Sequence, residues 1–143
     1  MAALYRLEIV TPEGSKFDGM VEYCAFRTTV GDVGILGGHS PYVAAIDTGE
    51  IRLRTESGET RYAAAAEGFA HMTGDHLRIL VSECAWAEEI DAVAAKEAKE
   101  AARARYQEAK TPEEKELTHF QLQKARIWRR VAKKSPNYNP AKN

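Results

Sequence analysis

GDVGILGGHSPYVAAIDTGEIRL, residues 31–53, decides how this chain is read. Four glycines, at 31, 34, 37 and 38, precede His39-Ser40-Pro41. Two short apolar runs follow, Val43–Ile46 and Ile51–Leu53, split by Asp47-Thr48-Gly49. Glycine costs about 1 kcal/mol per site inside a helix and proline about 3, so the segment is not helical. It reads as a shaped loop, Gly31–Pro41, feeding a β-turn and a strand.

Outward from it, the first half of the chain speaks in strands. Leu4–Val10 alternates apolar and polar residues and ends at Thr11-Pro12-Glu13-Gly14. Val21–Thr29 is a second run. Glu56-Ser57-Gly58-Glu59 is a hairpin turn between Ile51–Thr55 and Thr60–Ala65, and Thr73-Gly74-Asp75-His76 leads into Leu77–Val81. Ala63–Ala66 is assigned to strand by its hairpin setting. Period-2 segments broken by glycine turns predict an antiparallel sandwich or barrel.

Near Trp86 the period changes. Glu88–Ala109 is rich in Ala, Glu, Lys and Arg, with Asp91 as N-cap. Thr111-Pro112-Glu113-Glu114 offers a second cap, a proline at the first helical position and a capping-box glutamate. A second helix therefore runs from about 112 to about Lys134, stopped by Ser135-Pro136. The short connection predicts an antiparallel hairpin. Ala94, Ala98, Ala101, Ala102 and Ala109 are read as the inner stripe of helix one, and Leu117, Phe120, Ile127, Trp128 and Val131 as that of helix two. Alanine buries little area, so the hairpin is expected to be weakly held and able to detach; a permanently docked hairpin is the alternative.

The chain has 143 residues, with 44% hydrophobic and 29% charged, as in a folded globular protein. No apolar run approaches the roughly 18 residues of a membrane span. MAALYRLEIV carries neither a secretory nor a transit signal, which points to the cytosol. Cys24 and Cys84 sit in separate apolar runs and read as buried thiols. The net charge of −1 hides a split: residues 1–86 hold 7 Lys/Arg against 12 Asp/Glu, and residues 87–143 hold 13 against 9.

The glycine segment lacks the lysine of a phosphate loop, and it exits into strand rather than the helix a dinucleotide fingerprint needs. His39 and Ser40 are adjacent and point to opposite sides of an extended chain, so they make no nucleophile–base pair. His71 and His76, on either side of a turn, have no metal spacing and read as exposed. No catalytic or metal site is expected. The bases Arg126, Arg129, Arg130, Lys133 and Lys134 complement the dipole at a helix C-terminus. They could equally dock on an acidic protein or, with Trp128 and Tyr138 as stacking residues, on nucleic acid, although the acidic first half opposes the latter.

Residues from about Tyr5 to about Val131 resemble the epsilon subunit family of F-type rotary ATP synthases. LEIVTPEGSKFDGMVEYCAF is similar to the family's opening strands. Residues 31–53 match its glycine loop, histidine-small-proline and Gly-x-Ile turn, and GFAHMTGDHLRILVSECAWAEEID resembles the strand pair leading into the helices. Glu67-Gly68 departs from a common double glycine. The resemblance implies a sandwich of about ten strands over residues 1–86, a two-helix hairpin over 87–135, and a tail, 136–143, that is expected to be flexible. It implies a non-catalytic rotor subunit at the cytoplasmic face of a bacterial inner membrane, peripheral and without cofactor or nucleic-acid partner. Its partners would be the gamma subunit and the c-ring, with the loop residues Val30, Gly31, Asp32 and His39 on the c-ring side. When the hairpin extends, its basic tip (Arg126, Arg129, Arg130, Lys133, Lys134) would meet acidic residues of the alpha/beta head and block ATP hydrolysis. Some members bind regulatory ATP through an Ile/Leu-Asp-x-x-Arg-Ala motif. Here Ile90-Asp91-Ala92-Val93-Ala94-Ala95 has Ala94 in place of the arginine, leaving Ile90, Asp91, Arg126 and Arg130 without a main ligand.

Overall fold

The computed structural model describes residues 3–142; Met1, Ala2 and the tail's last residue, Asn143, lie outside the described residues. Contacts divide the chain into two compact units, Met1–Ala85 and Trp86–Asn143.

Nine strands are found among the described residues, against about ten expected: β1 Tyr5–Thr11, β2 Gly14–Thr28, β3 Gly31–Leu36, β4 Tyr42–Ile46, β5 Gly49–Thr55, β6 Thr60–Ala65, β7 Gly68–Thr73, β8 His76–Val81 and β9 Cys84–Trp86. They run in the order β1-β8-β7-β4-β2-β5-β6-β9, with β3 on β2 and β1 also on β2. All pairs described are antiparallel except β1–β8, which is parallel. The 15-residue β2 is the hinge of the sandwich. Its first half, Gly14–Val21, pairs with β1, and from Val21 onward it pairs with β5, with β3 and, at Thr28, with β4. The register shifts between Val21 and Tyr23, so β2 passes from one layer to the other at a bulge. Only Val21–Thr29 was legible as strand, because Ser15–Met20 carries glycine and aspartate on a half-exposed face.

Alternation fills the core. Tyr5, Leu7 and Ile9 of β1, Ile51 and Leu53 of β5, and Leu77 and Ile79 of β8 are each at most 1% exposed, while Arg6, Arg52 and Arg78 between them face out. Tyr5 crosses the core and donates its hydroxyl to Ile35 O of β3 at 2.7 Å. Ala63–Ala66 is buried, strand through Ala65, as its hairpin setting predicted. Cys24 and Cys84 are buried free thiols.

Gly31–Pro41 is not a single loop: Gly31–Leu36 is a strand laid along β2 from Thr28 to Tyr23. Its glycines suppress strand propensity in the sequence but are tolerated by pairing along the whole strand. His76 also differs from its exposed reading: at 31% side-chain exposure, its Nε2 lies 2.6 Å from Glu8 Oε1.

In the second unit a 3-10 turn, Ala87–Glu89, precedes α1 (Ala92–Glu108) and α2 (Pro112–Ala132). Asp91 caps α1, its Oδ1 accepting from Val93 N (3.0 Å) and Ala94 N (3.1 Å). Thr111 Oγ1 accepts from Glu114 N at 3.1 Å, and Glu114 reaches back to Lys110 N at 3.0 Å, one residue before the cap. At 1.5 Å per residue, α2 is about 32 Å long. The inner stripe of α1 differs from the one expected. Ala92, Ala95, Ala102 and Ala109 are buried, whereas Ala94, Ala98 and Ala101 are exposed. On α2, Leu122, Arg129, Val131 and Ala132 are buried, Ile127 and Trp128 half-buried, and Leu117 and Phe120 exposed by 59% and 44%. The seam advances by alternating steps of three and four, which several alanine registers satisfy equally in the sequence.

Candidate functional site

Two surfaces of the sandwich and one of the hairpin are the candidates. The β2–β3 turn puts Val30 in solvent, 91% exposed. Thr28 builds the turn: its Oγ1 donates to Gly31 O at 2.6 Å and accepts from Val30 N at 3.2 Å. Gly31 has φ +129°, a backbone that favours glycine. Asp32 is exposed and pairs with Arg27 at 3.5 Å, a partner the sequence did not reveal. His39 is not beside these three. From Asp32 strand β3 runs on to Leu36, about 13 Å of extended chain, and Gly37 and Gly38 follow before His39. His39 Nδ1 instead lies 2.7 Å from Ser40 O, and its ring meets the Tyr42 ring edge-on at 5.7 Å.

The outer face of β4, β7 and β8 carries an apolar stripe. Val43, Phe69 and Leu80 are 69%, 61% and 47% exposed. Phe69 lies opposite Leu80 across β7–β8 and opposite Ala45 across β4–β7, one face position from Val43. A hollow of about 370 Å³ lined by Val10, Thr11, Pro12, Leu80, Val81 and Ser82 continues the stripe. Val43 itself stands at the end of the next row, Val43-His71-Arg78-Glu8-Asp18, which is otherwise polar and charged. There Glu8 gathers His76, Arg6 (3.7 Å) and Arg78 (3.9 Å), and Arg6 grips Asp18 with bonds of 2.9 and 3.0 Å. That guanidinium holds the Asp18 carboxyl below its ordinary range.

On the hairpin the five expected bases are not equivalent. Arg126, Arg130, Lys133 and Lys134 are exposed, whereas Arg129 is buried and donates from Nη1 to Ala92 O at 2.8 Å. Tyr138 of the tail lies over its guanidinium, 5.8 Å from ring centroid to Cζ. The tail turns locally, with Tyr138 N donating to Ser135 O and Lys142 N to Asn139 O. Lys99 and Arg103 of α1 extend the basic surface. Desolvation, then repulsion from Arg103, Lys133, Arg129 and Arg126, lowers the Lys99 ammonium from its ordinary value. Their i, i+4 spacing on α1 was a signal the sequence reading passed over. Asp91 is occupied as a helix cap, and Ile90 ends the preceding 3-10 turn. Ala94 is exposed where the nucleotide motif has arginine. Among the described residues no cluster of His, Cys, Asp or Glu could hold a metal ion, and no helix is long and apolar enough to cross a membrane.

Residues 4–87 match the family described as ATP synthase, Delta/Epsilon chain, beta-sandwich domain. The chain belongs to the epsilon-chain family of F-type ATP synthases. The ATP synthase epsilon chain of Alkaliphilus oremlandii is 41% identical over 73% of this chain and 78% of its own. That of Ruminococcus albus is 36% identical over 86% and 92%, and that of Bacillus subtilis 42% over 72% and 74%. In fold, the chain is similar to one in the Euglena gracilis mitochondrial ATP synthase (OSCP/F1/c-ring), with a TM-score of 0.81 at 22% identity over 92% of this chain and 83% of that one. It is also similar to one in the Tetrahymena thermophila mitochondrial ATP synthase central stalk and c-ring, at 0.64 and 15% over 88% and 94%. As an epsilon chain it is a non-catalytic subunit of an ATP synthase.

Proposed function

We propose that this epsilon chain couples the gamma subunit to the c-ring, and that its hairpin inhibits ATP hydrolysis. The observation that carries the coupling role is the apolar stripe of Val43, Phe69 and Leu80, set beside the charged row around Glu8. Apolar side chains this exposed and this close together mark a protein interface, and flanking charges fix its register. We assign this face to gamma. His39 packs on Tyr42, whose strand neighbour Val43 points to the other face, so His39 is assigned to neither surface.

The c-ring seat is then the β2–β3 turn, with Val30, Gly31 and Asp32. A protruding valine and a glycine backbone suit contact with several loop tips at once. The hairpin offers a basic surface of exposed Arg126, Arg130, Lys133 and Lys134, matched to an acidic patch of the alpha/beta head. Its alanine seam buries little area per residue, which limits the apolar cost of separating the helices. Nucleotide binding is not part of this reading, because the motif arginine is replaced by Ala94.

The test is made in the cognate complex. Full-length chain slows ATP hydrolysis, and a chain ending near Trp86 retains gamma binding but inhibits far less. Equal inhibition by both forms removes the hairpin from the mechanism. Loss of gamma binding without loss of fold on changing Phe69 tests the stripe separately.

A further inference from the structure

The outer face of β2, β5 and β6 holds a cluster that neither coupling nor inhibition uses. Arg52 and Arg54 stand two residues apart on β5 and face out together, about 7 Å apart along the strand. Register places Arg52 between Ala25 of β2 and Tyr62 of β6, and Arg54 between Tyr23 and Thr60. The support is built from below. Gly34 of β3 leaves room for Tyr23: a Cβ at position 34 would lie 2.9 Å from the tyrosine hydroxyl and 3.0 Å from its ring. Arg52 lies over that ring, its Cζ 5.5 Å from the centroid, and donates from Nη2 to the hydroxyl at 3.2 Å.

The result is a hollow of about 260 Å³ lined by Tyr23, Arg52, Leu53, Arg54, Thr60 and Tyr62. Every polar side chain in that lining can donate a hydrogen bond, and none is a carboxylate. Glu22 is outside this lining and enters the adjoining hollow on the Leu36 side, which Arg52 and Arg54 also border. Glu50, two residues before Arg52 on the same face, attracts the Arg52 guanidinium from outside this lining. Arg54 has no ion pair among the described residues. This gathering of donors lies in the acid-rich half of the chain. Two guanidiniums side by side on one strand face repel, and an anion between them relieves the repulsion. Their planar forks match the oxygens of a tetrahedral oxyanion.

We propose that this hollow binds a phosphate-class oxyanion between Arg52 and Arg54, with the tyrosine and threonine hydroxyls completing its hydrogen bonds. The Gly34–Tyr23–Arg52 stack holds one guanidinium in place before the ligand arrives. The phosphate group comes either from a free anion or from a phospholipid headgroup.

The two sources are separated by two arms, both on the full chain at low ionic strength. In the first, sodium pyrophosphate is titrated calorimetrically. In the second, the protein is floated with phosphatidylcholine vesicles with and without phosphatidylglycerol. Saturable binding is expected in one arm, weakened about tenfold or more by Arg54→Gln and unchanged by Arg78→Gln on the opposite face. Arg54 is exposed, and unchanged circular dichroism of the variant verifies its fold. Binding confined to phosphatidylglycerol vesicles assigns the headgroup, and binding of pyrophosphate assigns the free anion. Absence of saturable binding in both arms, or equal weakening by Arg54→Gln and Arg78→Gln, overturns the proposal.

Discussion

Arg129 Nη1 donates to Ala92 O at 2.8 Å, joining the last turn of α2 to the first turn of α1 across 37 residues of chain. The contact is buried, and the Tyr138 ring covers the guanidinium. The arginine occupies a position on the hairpin seam that an apolar side chain would ordinarily take. It is a clasp of the closed hairpin, and its charge is not presented at the surface as those of its neighbours are.

Replacing Arg129 by Met keeps the side-chain length and removes the charge-assisted bond, at a cost of about 1.5–3 kcal/mol. Hydrogen exchange at the N-terminal turn of α1 should speed up about tenfold or more. Arg130→Met, at an exposed site one residue on, should leave exchange and stability within about 0.5 kcal/mol of the parent. Similar effects from the two substitutions would mean that Arg129 clasps nothing.

Phe69→Ser removes the largest side chain of the exposed stripe without touching the core, since Phe69 is 61% exposed. Gamma binding measured by calorimetry should weaken about tenfold to a hundredfold, as for an aromatic interface anchor. The urea midpoint should move little. The same substitution at Phe120, exposed on the hairpin, serves as the control and should leave gamma binding intact.

Gly68 starts β7 where its backbone crosses that of β8. A Cβ there would stand within van der Waals overlap of Leu80 O and only 2.7 Å from the Val81 Cα. Both obstacles are backbone and cannot swing away. Gly68→Ala should therefore cost about 3 kcal/mol or more, read as a lowered urea midpoint. An exposed Ala98→Gly change, by comparison, costs only the helix propensity of about 1 kcal/mol.

The fates of Gly68 and β3 indicate where the sequence was readable. Turns with a local chemical cause, such as Asp91, Thr111 and the Glu56–Glu59 hairpin, were legible because the residues that make them lie within four positions of one another. β3 was not, because glycines at 31 and 34 argue locally for loop while pairing along β2 decides for strand. The seam of α1 was missed by one residue for a related reason: a helix with alanines at 92, 94, 95, 98, 101 and 102 has no unique apolar face until α2 chooses one. The separation of His39 from Val30 and the Tyr23–Arg52–Arg54 hollow depend on strand register, which one sequence does not specify.

Burial raises the Cys24 thiol and the Tyr5 hydroxyl well above their ordinary values. For such groups the fold favours the neutral form, so ionisation in the unfolded chain works against folding. The contribution of Cys24 is complete below about pH 8.5 and falls by about 1.4 kcal/mol per pH unit above it; that of Tyr5 follows above about pH 10. Urea midpoints should decline from about pH 8.5 upward. Cys24→Ala should start lower, because it leaves a cavity, and decline less steeply between about pH 8.5 and 10. Parallel slopes for parent and variant would exclude Cys24 as a source of alkaline sensitivity.

The basic residues of α2 should separate in a hydrolysis assay according to their exposure. Arg126→Gln combined with Arg130→Gln removes two charges one turn apart on the outside of the hairpin and leaves the clasp untouched. If the extended hairpin inhibits through contact with an acidic patch, inhibition by this double variant should weaken about tenfold, and more steeply so at low salt. Arg129→Met acts in the opposite sense. It frees the helices from one another, so it should raise the extended fraction and strengthen inhibition at a given concentration. Opposite signs for the two variants distinguish a clasp from a contact. Weakened inhibition in both would place Arg129 among the contact residues after all.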